Sequence, residues 1–358
     1  MSFTEYDIDS LGEVLAREGL ATAHTRVLLR AFYEGAGKID FSTLKVGRRV
    51  EEWFGQAGVP VRSTVRHRVR SADGTLKLLI AFSDGQTVES VLMPGYRPDR
   101  AAGCISSQVG CAMGCDFCAS TKSGLQRNLT CPEIVEQFLH LKSEALQLDR
   151  RLQSLVFMGM GEPMHNLDNV IAAIKRIADP DLGGLGWRQV TVSTVGIVPG
   201  IDRLAEADLN VHLALSLHAP DDATRARLVP ANRRYPIAEI MDAAKRFVAK
   251  TRRIPTIEYC LLANVNDSDA HAHALADLMT GFRAHVNLIP YNAIGAGLSG
   301  AVYSRPAPAQ IAAFLDILRA RKIVAHPRDT RGDDVSAACG QLRQTALNAV
   351  GADPRVRP

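Results

Sequence analysis

Apolar positions along this 358-residue chain change period twice, and each change marks a new kind of element. Up to about residue 57 they recur at helical spacing. Leu11, Val14 and Leu15 make one stripe and Val27, Leu28 and Phe32 another, which predicts short helices. Between residues 64 and 93 the period shortens: Thr64 to Arg70, Thr75 to Phe82 and Thr87 to Met93 are alternating or apolar runs separated by Ala-Asp-Gly and Ser-Asp-Gly. Asp-Gly between such runs signals a hairpin, so a small antiparallel meander is expected. From about residue 102, strand-like runs alternate with helical stripes. Strands are expected at 102–107, 154–158, 189–193, 211–217, 256–262 and 284–289, and repeated strand–helix units predict a parallel sheet or partial barrel.

Two helices are marked by more than their stripe. Thr130 and Glu133 have the spacing of a capping box, Pro132 suits a first turn, and Ile134, Phe138, Leu141 and Ala145 follow on one face. A second begins at Pro236 and carries Ile237, Ile240, Met241, Ala244 and Phe247. Such stripes are core.

Composition narrows the class of molecule. At 46% hydrophobic the chain can bury a full core, one large domain with a smaller attachment. No run reaches the roughly eighteen apolar residues of a membrane span, and the start has neither a basic n-region nor an apolar h-region, so a cytoplasmic location is expected. A formal charge of +4 is too mild to imply nucleic-acid binding by itself. A local feature is more telling: Arg66, Arg68 and Arg70 alternate along one predicted strand, so three guanidinium groups share a face that could track phosphate or stand as solvated surface.

Seven cysteines are too few, and odd in number, for a disulfide framework. Three of them, Cys111, Cys115 and Cys118, stand in a C-x3-C-x2-C run. Thiolates are soft donors for zinc or iron–sulfur clusters, and a 4Fe-4S cube normally takes four. A cube held by three leaves one iron open; a zinc site recruiting Cys104 as fourth ligand is the competing reading. Cys131 and Cys260 read as small buried hydrophobes.

Ligands of parallel α/β sheets gather at the carboxyl ends of the strands. The first predicted strand runs into the cysteine loop and the second into Gly159-Met160-Gly161-Glu162-Pro163. The third ends at Ser193-Thr194, the fourth at Ser216-Leu217-His218, and Pro290-Tyr291-Asn292 follows the sixth. Hydroxyl, imidazole, amide and carboxylate groups therefore converge on one mouth. Far along the chain Cys339 is followed by Gly340, which leaves room for a close approach to the thiol.

Taken together, Ile105-Ser106-Ser107-Gln108-Val109-Gly110-Cys111, Gly159 to Pro163, Ser216 to Pro220 and Thr330-Arg331-Gly332-Asp333-Asp334 resemble the RlmN/Cfr family of radical S-adenosylmethionine (SAM) adenine methyltransferases. The resemblance spans nearly the whole chain, although the loop between Glu89 and Cys104 is longer than in some relatives. It implies an α/β fold: a radical SAM partial (β/α)6 barrel at 98–333, a small helical N-terminal RNA-binding domain at 1–60, an antiparallel β extension at 61–97, and a C-terminal helix and tail at 334–358. It implies a 4Fe-4S cluster on Cys111, Cys115 and Cys118, and SAM bound by Gly161, Glu162, Ser193, Ser216, Leu217, His218 and Asn292. Cys339 would carry a methyl group taken from one SAM. A second SAM would yield the radical that activates this methyl for addition to adenine. Glu89 would accept the ring proton, and Cys104 would release the product by attacking the Cys339 sulfur. The implied substrates are 23S rRNA and tRNA, methylated at adenine carbon 2, and the implied electron donor is a protein such as flavodoxin. Carbon 8 methylation of the rRNA adenine, or a non-enzymatic zinc or iron–sulfur RNA-binding protein, are the alternatives to be tested.

Overall fold

In the computed structural model, which describes residues 2–56 and 61–342, three helices precede the sheet: α1 (Ile8–Arg17), α2 (His24–Glu34) and α3 (Arg48–Gln56). Asp7 and Ser10 cap α1 reciprocally, each side chain accepting the other's backbone N–H at 2.9 Å. Leu11, Leu15, Leu28 and Phe32 are buried as their spacing predicts, but Val27 is 40% exposed because α2 turns Leu28, Leu29, Phe32 and Tyr33 inward.

β1 (Thr64–Arg70), β2 (Leu76–Ala81) and β3 (Thr87–Pro94) form the expected meander, and β3 continues antiparallel onto β4 (Arg100–Cys104). A short hairpin follows, β5 (Gln108–Gly110) against β6 (Leu125–Asn128). Thereafter strand and helix alternate. The order is α4 (Cys131–Gln147), β7 (Arg151–Phe157), α5 (Leu167–Ala178), β8 (Val190–Thr194), α6 (Val198–Glu206) and β9 (His212–Ser216). Next come α7 (Asp222–Leu228), α8 (Ile237–Thr251), β10 (Thr256–Leu261), α9 (Asp269–Leu278), β11 (His285–Pro290), α10 (Pro308–Ala320) and β12 (Val324–Pro327).

One sheet of ten strands runs β1-β2-β3-β4-β7-β8-β9-β10-β11-β12, parallel from β4 onward. Among the described residues no ladder joins its two ends, so the barrel is partial and the meander extends it. β12 is a parallel strand beyond the six expected; only Ala325 of its four residues is buried, too little apolar signal to announce a strand. Of the expected C-terminal helix and tail at 334–358, residues 343–358 lie outside the described residues; the described part begins with a single 3₁₀ turn, Asp333–Val335. No helix among the described residues is long and apolar enough to cross a membrane.

α4 does two jobs. Its apolar face, with Ile134, Phe138, Leu141 and Ala145 buried, packs on the sheet, and Glu136 fastens the segments before and after the N-terminal helices. The buried Glu136 carboxylate accepts Ser2 Oγ and Thr4 Oγ1 at 3.1 Å, Arg62 N–H at 3.0 Å and Ser63 N–H at 2.8 Å. A buried carboxylate with this many donors is compensated for leaving water.

Candidate active site

The hairpin that the sequence reading missed explains the cysteine loop's shape. β5 and β6 close the ends of the excursion that carries Cys111, Cys115 and Cys118, and Cys111 N–H donates to Gly124 O at 3.1 Å. Gly110 has φ +74°, and a Cβ there would stand 1.9 Å from Gly124 O, so the closure admits only glycine. Asp116 ties the loop to the segment after β11, accepting Ser299 N–H at 2.7 Å and the Ser299 and Tyr303 hydroxyls at 2.6 Å.

All three thiols line one inner cavity of about 150 Å³ at the carboxyl ends of the parallel strands, with Gly161, Glu162, Ser193, Ser216 and His218. Gly161 has φ +98°, and a Cβ on it would lie 2.5 Å from Gln108 Cβ. Glu162 is held from two sides: Oε1 accepts Met164 N–H at 3.0 Å and Oε2 accepts Val195 N–H at 2.8 Å. Burial pushes its carboxyl up to about 7 against those hydrogen bonds, an environment that favours a cationic partner such as an ammonium group. The Ser193 and Ser216 hydroxyls are 3.3 Å apart. His218 Nδ1 accepts the Cys260 N–H at 3.0 Å, and burial, then Arg225, lowers its pKa to about 3. The ring is therefore neutral with its proton on Nε2, a donor and not a base.

Three soft thiols converging in a cavity that also holds a carboxylate and hydroxyls fit a 4Fe-4S cluster with one iron open to SAM. Without iron, burial pushes the Cys111 thiol up to about 12 and raises Cys115 and Cys118 as well; bound metal reverses this preference by deprotonating its thiols. Against the competing zinc site, no three or more Cys, His, Asp or Glu side chains among the described residues are gathered as a single metal ion requires, and Cys104 lines a different cavity.

That second, outer cavity, of about 880 Å³, contains Cys104, Asn292 and the β3 residues Val91 and Met93. Cys339, Met158, Ile289 and Arg328 line both cavities and so form the partition. The Cys339 segment is bonded to the cysteine loop directly, Ala119 N–H donating to Gly340 O at 2.7 Å and Ser120 Oγ to Leu342 O at 2.5 Å. Cys104 and Cys339 are free thiols; burial, with the Cys339 charge, pushes Cys104 up to about 12 against the pull of Arg328.

Three residues singled out from sequence stand elsewhere. Leu217 is buried behind the inner cavity, its N–H donating to Glu258 O at 3.0 Å and its carbonyl accepting from Arg225 Nε at 2.9 Å. Asn292 faces the outer cavity and donates to Cys339 O at 3.1 Å while Arg305 holds its carbonyl at 2.7 Å. Glu89 lines neither cavity; its carboxylate pairs with Lys77 at 3.0 Å. It does share a strand face with Val91 and Met93, one row deeper. On the meander, Arg66, Arg68 and Arg70 are all exposed, and Arg68 is paired with Glu144 at 2.7 Å.

Two charged residues that carry no sequence signature shape the site. Arg225, fully buried, donates to the carbonyls of Val195 at 2.6 Å, Leu217 at 2.9 Å and Ser216 at 3.2 Å, gathering the ends of β8 and β9. Glu258 on β10 registers beside Ser216 and Asn287. Its Oε1 accepts Asn287 at 3.0 Å, while Oε2, buried against the inner cavity 3.9 Å from Arg328, has no hydrogen-bond partner.

Comparison with known proteins agrees with this geometry. The Radical SAM superfamily model matches residues 105–276, and enzymes of that superfamily work with a 4Fe-4S cluster and SAM. A relative from Opitutus terrae, named as a probable dual-specificity RNA methyltransferase RlmN, is 54% identical over 342 residues, 96% of this chain and 96% of its own length. Another of that name from Thermosynechococcus vestitus is 48% identical over 288 residues, 80% of this chain and 82% of its own. A crystal structure of a radical SAM methyltransferase from Sphaerobacter thermophilus superposes with a TM-score of 0.88 at 42% identity, covering 96% of this chain and 99% of that one. With identity of this order running from the N-terminal helices through the thiol loop to the Cys339 segment, the chain belongs to the RlmN family of radical SAM RNA methyltransferases.

Proposed function

We propose that this enzyme methylates carbon 2 of one adenine in 23S rRNA and of the adenine beside the anticodon in tRNA, by way of a methyl group carried on Cys339. The observation that carries this reading is the position of Cys339 in the partition between an inner cavity with the three thiols and an outer one large enough for an extruded nucleotide. When bound, the cluster and SAM supply the one-electron chemistry that activates an unreactive methyl carbon.

The chain's own residues do the rest. Cys111, Cys115 and Cys118 hold the cluster, and Gly161, Glu162, Ser193, Ser216 and His218 surround SAM, with Leu217 and Asn292 acting through the strand end and the Cys339 backbone. Cys339 is the nucleophile that accepts the methyl group. Arg328 stands beside it in the wall between the two cavities. Glu89 accepts the ring proton, reached along the β3 face that Val91 and Met93 expose to the outer cavity. Cys104 then attacks the Cys339 sulfur: a sulfur–sulfur bond forms, the carbon–sulfur bond to RNA breaks with its electron pair passing to the carbon, which takes up a proton to become the methyl group, and a reductant reopens the disulfide. A flavodoxin-type donor and a cytoplasmic location complete the reading.

Anaerobically reconstituted protein incubated with SAM, reductant and unmodified RNA should yield 2-methyladenosine by mass spectrometry. Cys339→Ala should give none, and Cys104→Ala should leave RNA covalently attached to Cys339. Detection of 8-methyladenosine instead would overturn the carbon 2 assignment, and absence of 5′-deoxyadenosine with zinc alone in the protein would overturn the radical reading.

A further inference from the structure

One wall of the outer cavity has no part in the chemistry above. β3 and β4 are joined by the turn Gly95–Asp99, and Tyr96 at its tip is 99% exposed while lining the outer cavity beside Arg97, Arg100 and Arg331. The turn is pinned. Gly95 N–H donates to Arg100 O at 2.8 Å, Arg100 N–H to Arg97 O at 3.0 Å, and Arg151 N–H to Asp99 O at 2.8 Å, which fastens the base of the turn to β7. A Cβ on Gly95 would meet Arg100 O at 2.9 Å, and Pro98 fixes its own φ. A phenol ring is thus displayed to water on a braced support at the entrance to the cavity that holds Cys104 and Cys339.

A ring left wholly in water forgoes the apolar burial that aromatic side chains otherwise gain. With the backbone held by the turn, only two side-chain torsions have to be fixed when the ring meets a flat partner. The cations beside it define that partner's charge: Arg97 is exposed, Arg331 is oriented by its 2.6 Å hydrogen bond to Pro94 O, and Arg100 is tied to Asp99 at 3.0 Å. A flat face with guanidinium groups on its flank matches an unstacked base and its phosphate, the features by which single-stranded RNA is gripped.

We propose that Tyr96 is a stacking platform for the unpaired nucleotide that neighbours the target adenine in the RNA substrate, with Arg97 contacting the adjoining phosphate. The inference rests on RNA being the substrate and adds where the strand lies as the adenine enters. It makes Tyr96 and Arg97 determinants of RNA affinity and leaves the chemistry to the residues named above.

The test uses the full chain and an RNA hairpin with the target adenine in its loop, 2-aminopurine being placed on either side of that adenine in turn. The wild type should quench one of the two probes on binding. Tyr96→Ala should weaken RNA affinity roughly 5- to 150-fold and abolish the quench, by the usual worth of one base–aromatic stack. Tyr96→Phe should bind within about twofold of wild type, because the face and not the hydroxyl is used. Arg97→Ala should weaken binding and lower the slope of log affinity against log salt by about 0.7, one phosphate contact on a single strand. Methylation of Cys339 in the absence of RNA should be unchanged in all three. If Tyr96→Ala binds RNA like the wild type, the proposal fails; so it does if Tyr96→Phe loses as much as Tyr96→Ala, or if the ring is covered by another copy of the chain. A wild type that binds and quenches without methylating adenine would refute the proposed function while leaving the stacking surface standing.

Discussion

Arg225→Met asks whether one buried cation holds the mouth of the barrel together. The guanidinium makes four hydrogen bonds: to Val195 O at 2.6 Å, to Leu217 O and Asn232 Oδ1 at 2.9 Å, and to Ser216 O at 3.2 Å. Methionine replaces much of the volume but brings no donor, so four acceptors in buried or part-buried bonds lose a partner. At about 1–2 kcal/mol each, the lower part of the range because a carbonyl tolerates one empty lone pair, the loss is about 4–8 kcal/mol. Relief of the buried charge opposes it. Burial lowers the Arg225 pKa from its ordinary value to about 10, which corresponds to ~3 kcal/mol against the charged form. The balance is a destabilisation of about 1–5 kcal/mol, read as a lower urea midpoint. The functional effect should be larger than the stability change suggests. Ser216 and His218 lie on the strand end that Arg225 fixes, so SAM affinity of the cluster-loaded protein, measured by calorimetry, should fall at least about tenfold. Arg225→Lys should be intermediate, since one ammonium group cannot reach every acceptor. A methionine variant with wild-type urea midpoint and wild-type SAM affinity would show that the sheet ladder alone places β8 and β9, and the reasoning would be wrong.

Three further outcomes can be checked. Gly161→Ala, which forces a Cβ at φ +98° to within 2.5 Å of Gln108 Cβ, should weaken SAM binding at least about tenfold in the same calorimetry, with little change in far-ultraviolet circular dichroism. His218 stays neutral in the folded protein down to about pH 3, whereas an unfolded histidine protonates near 6.5, so its effect is absent above about pH 6.5 and costs stability as pH falls below that. Urea unfolding at pH 5 and 7.5 should therefore show roughly 2 kcal/mol more acid sensitivity in the wild type than in His218→Gln, and equal sensitivity would refute the assignment. Glu258→Gln keeps an acceptor for Asn287 but can turn an N–H where Oε2 now meets the inner cavity; SAM affinity should drop several-fold, and an unchanged dissociation constant would mean that Oε2 serves only Arg328.

What the sequence made legible is what local chemistry decides. The fourth helix was complete in one stretch, because Thr130, Glu133 and the stripe from Ile134 to Ala145 lie within one helix length of each other. The meander was legible because two Asp-Gly turns set its register. Strand ends were found by position alone, and five of the seven expected SAM-pocket residues do line the inner cavity. The remainder depends on partners distant in sequence. Leu217 looks like part of a binding motif, yet Arg225 and Glu258 take its backbone groups. Glu258 sits in an apolar strand with nothing to mark it until β9 and β11 align beside it. Lys77 meets Glu89 only through the β2–β3 register. β12 is too short and too exposed for its pattern to speak.

The Glu136 fastening has a consequence for how the molecule is made. Ser2 and Thr4 are polymerised 134 and 132 residues before the carboxylate that receives them. At roughly 5–20 residues per second, that is a wait of roughly 7–27 s before the anchor has even been polymerised. During that interval Phe3 and the helices behind it can cluster among themselves but have no barrel to dock on. The N-terminal part of the chain is therefore translated early and secured late, an interval in which a chaperone has most to do.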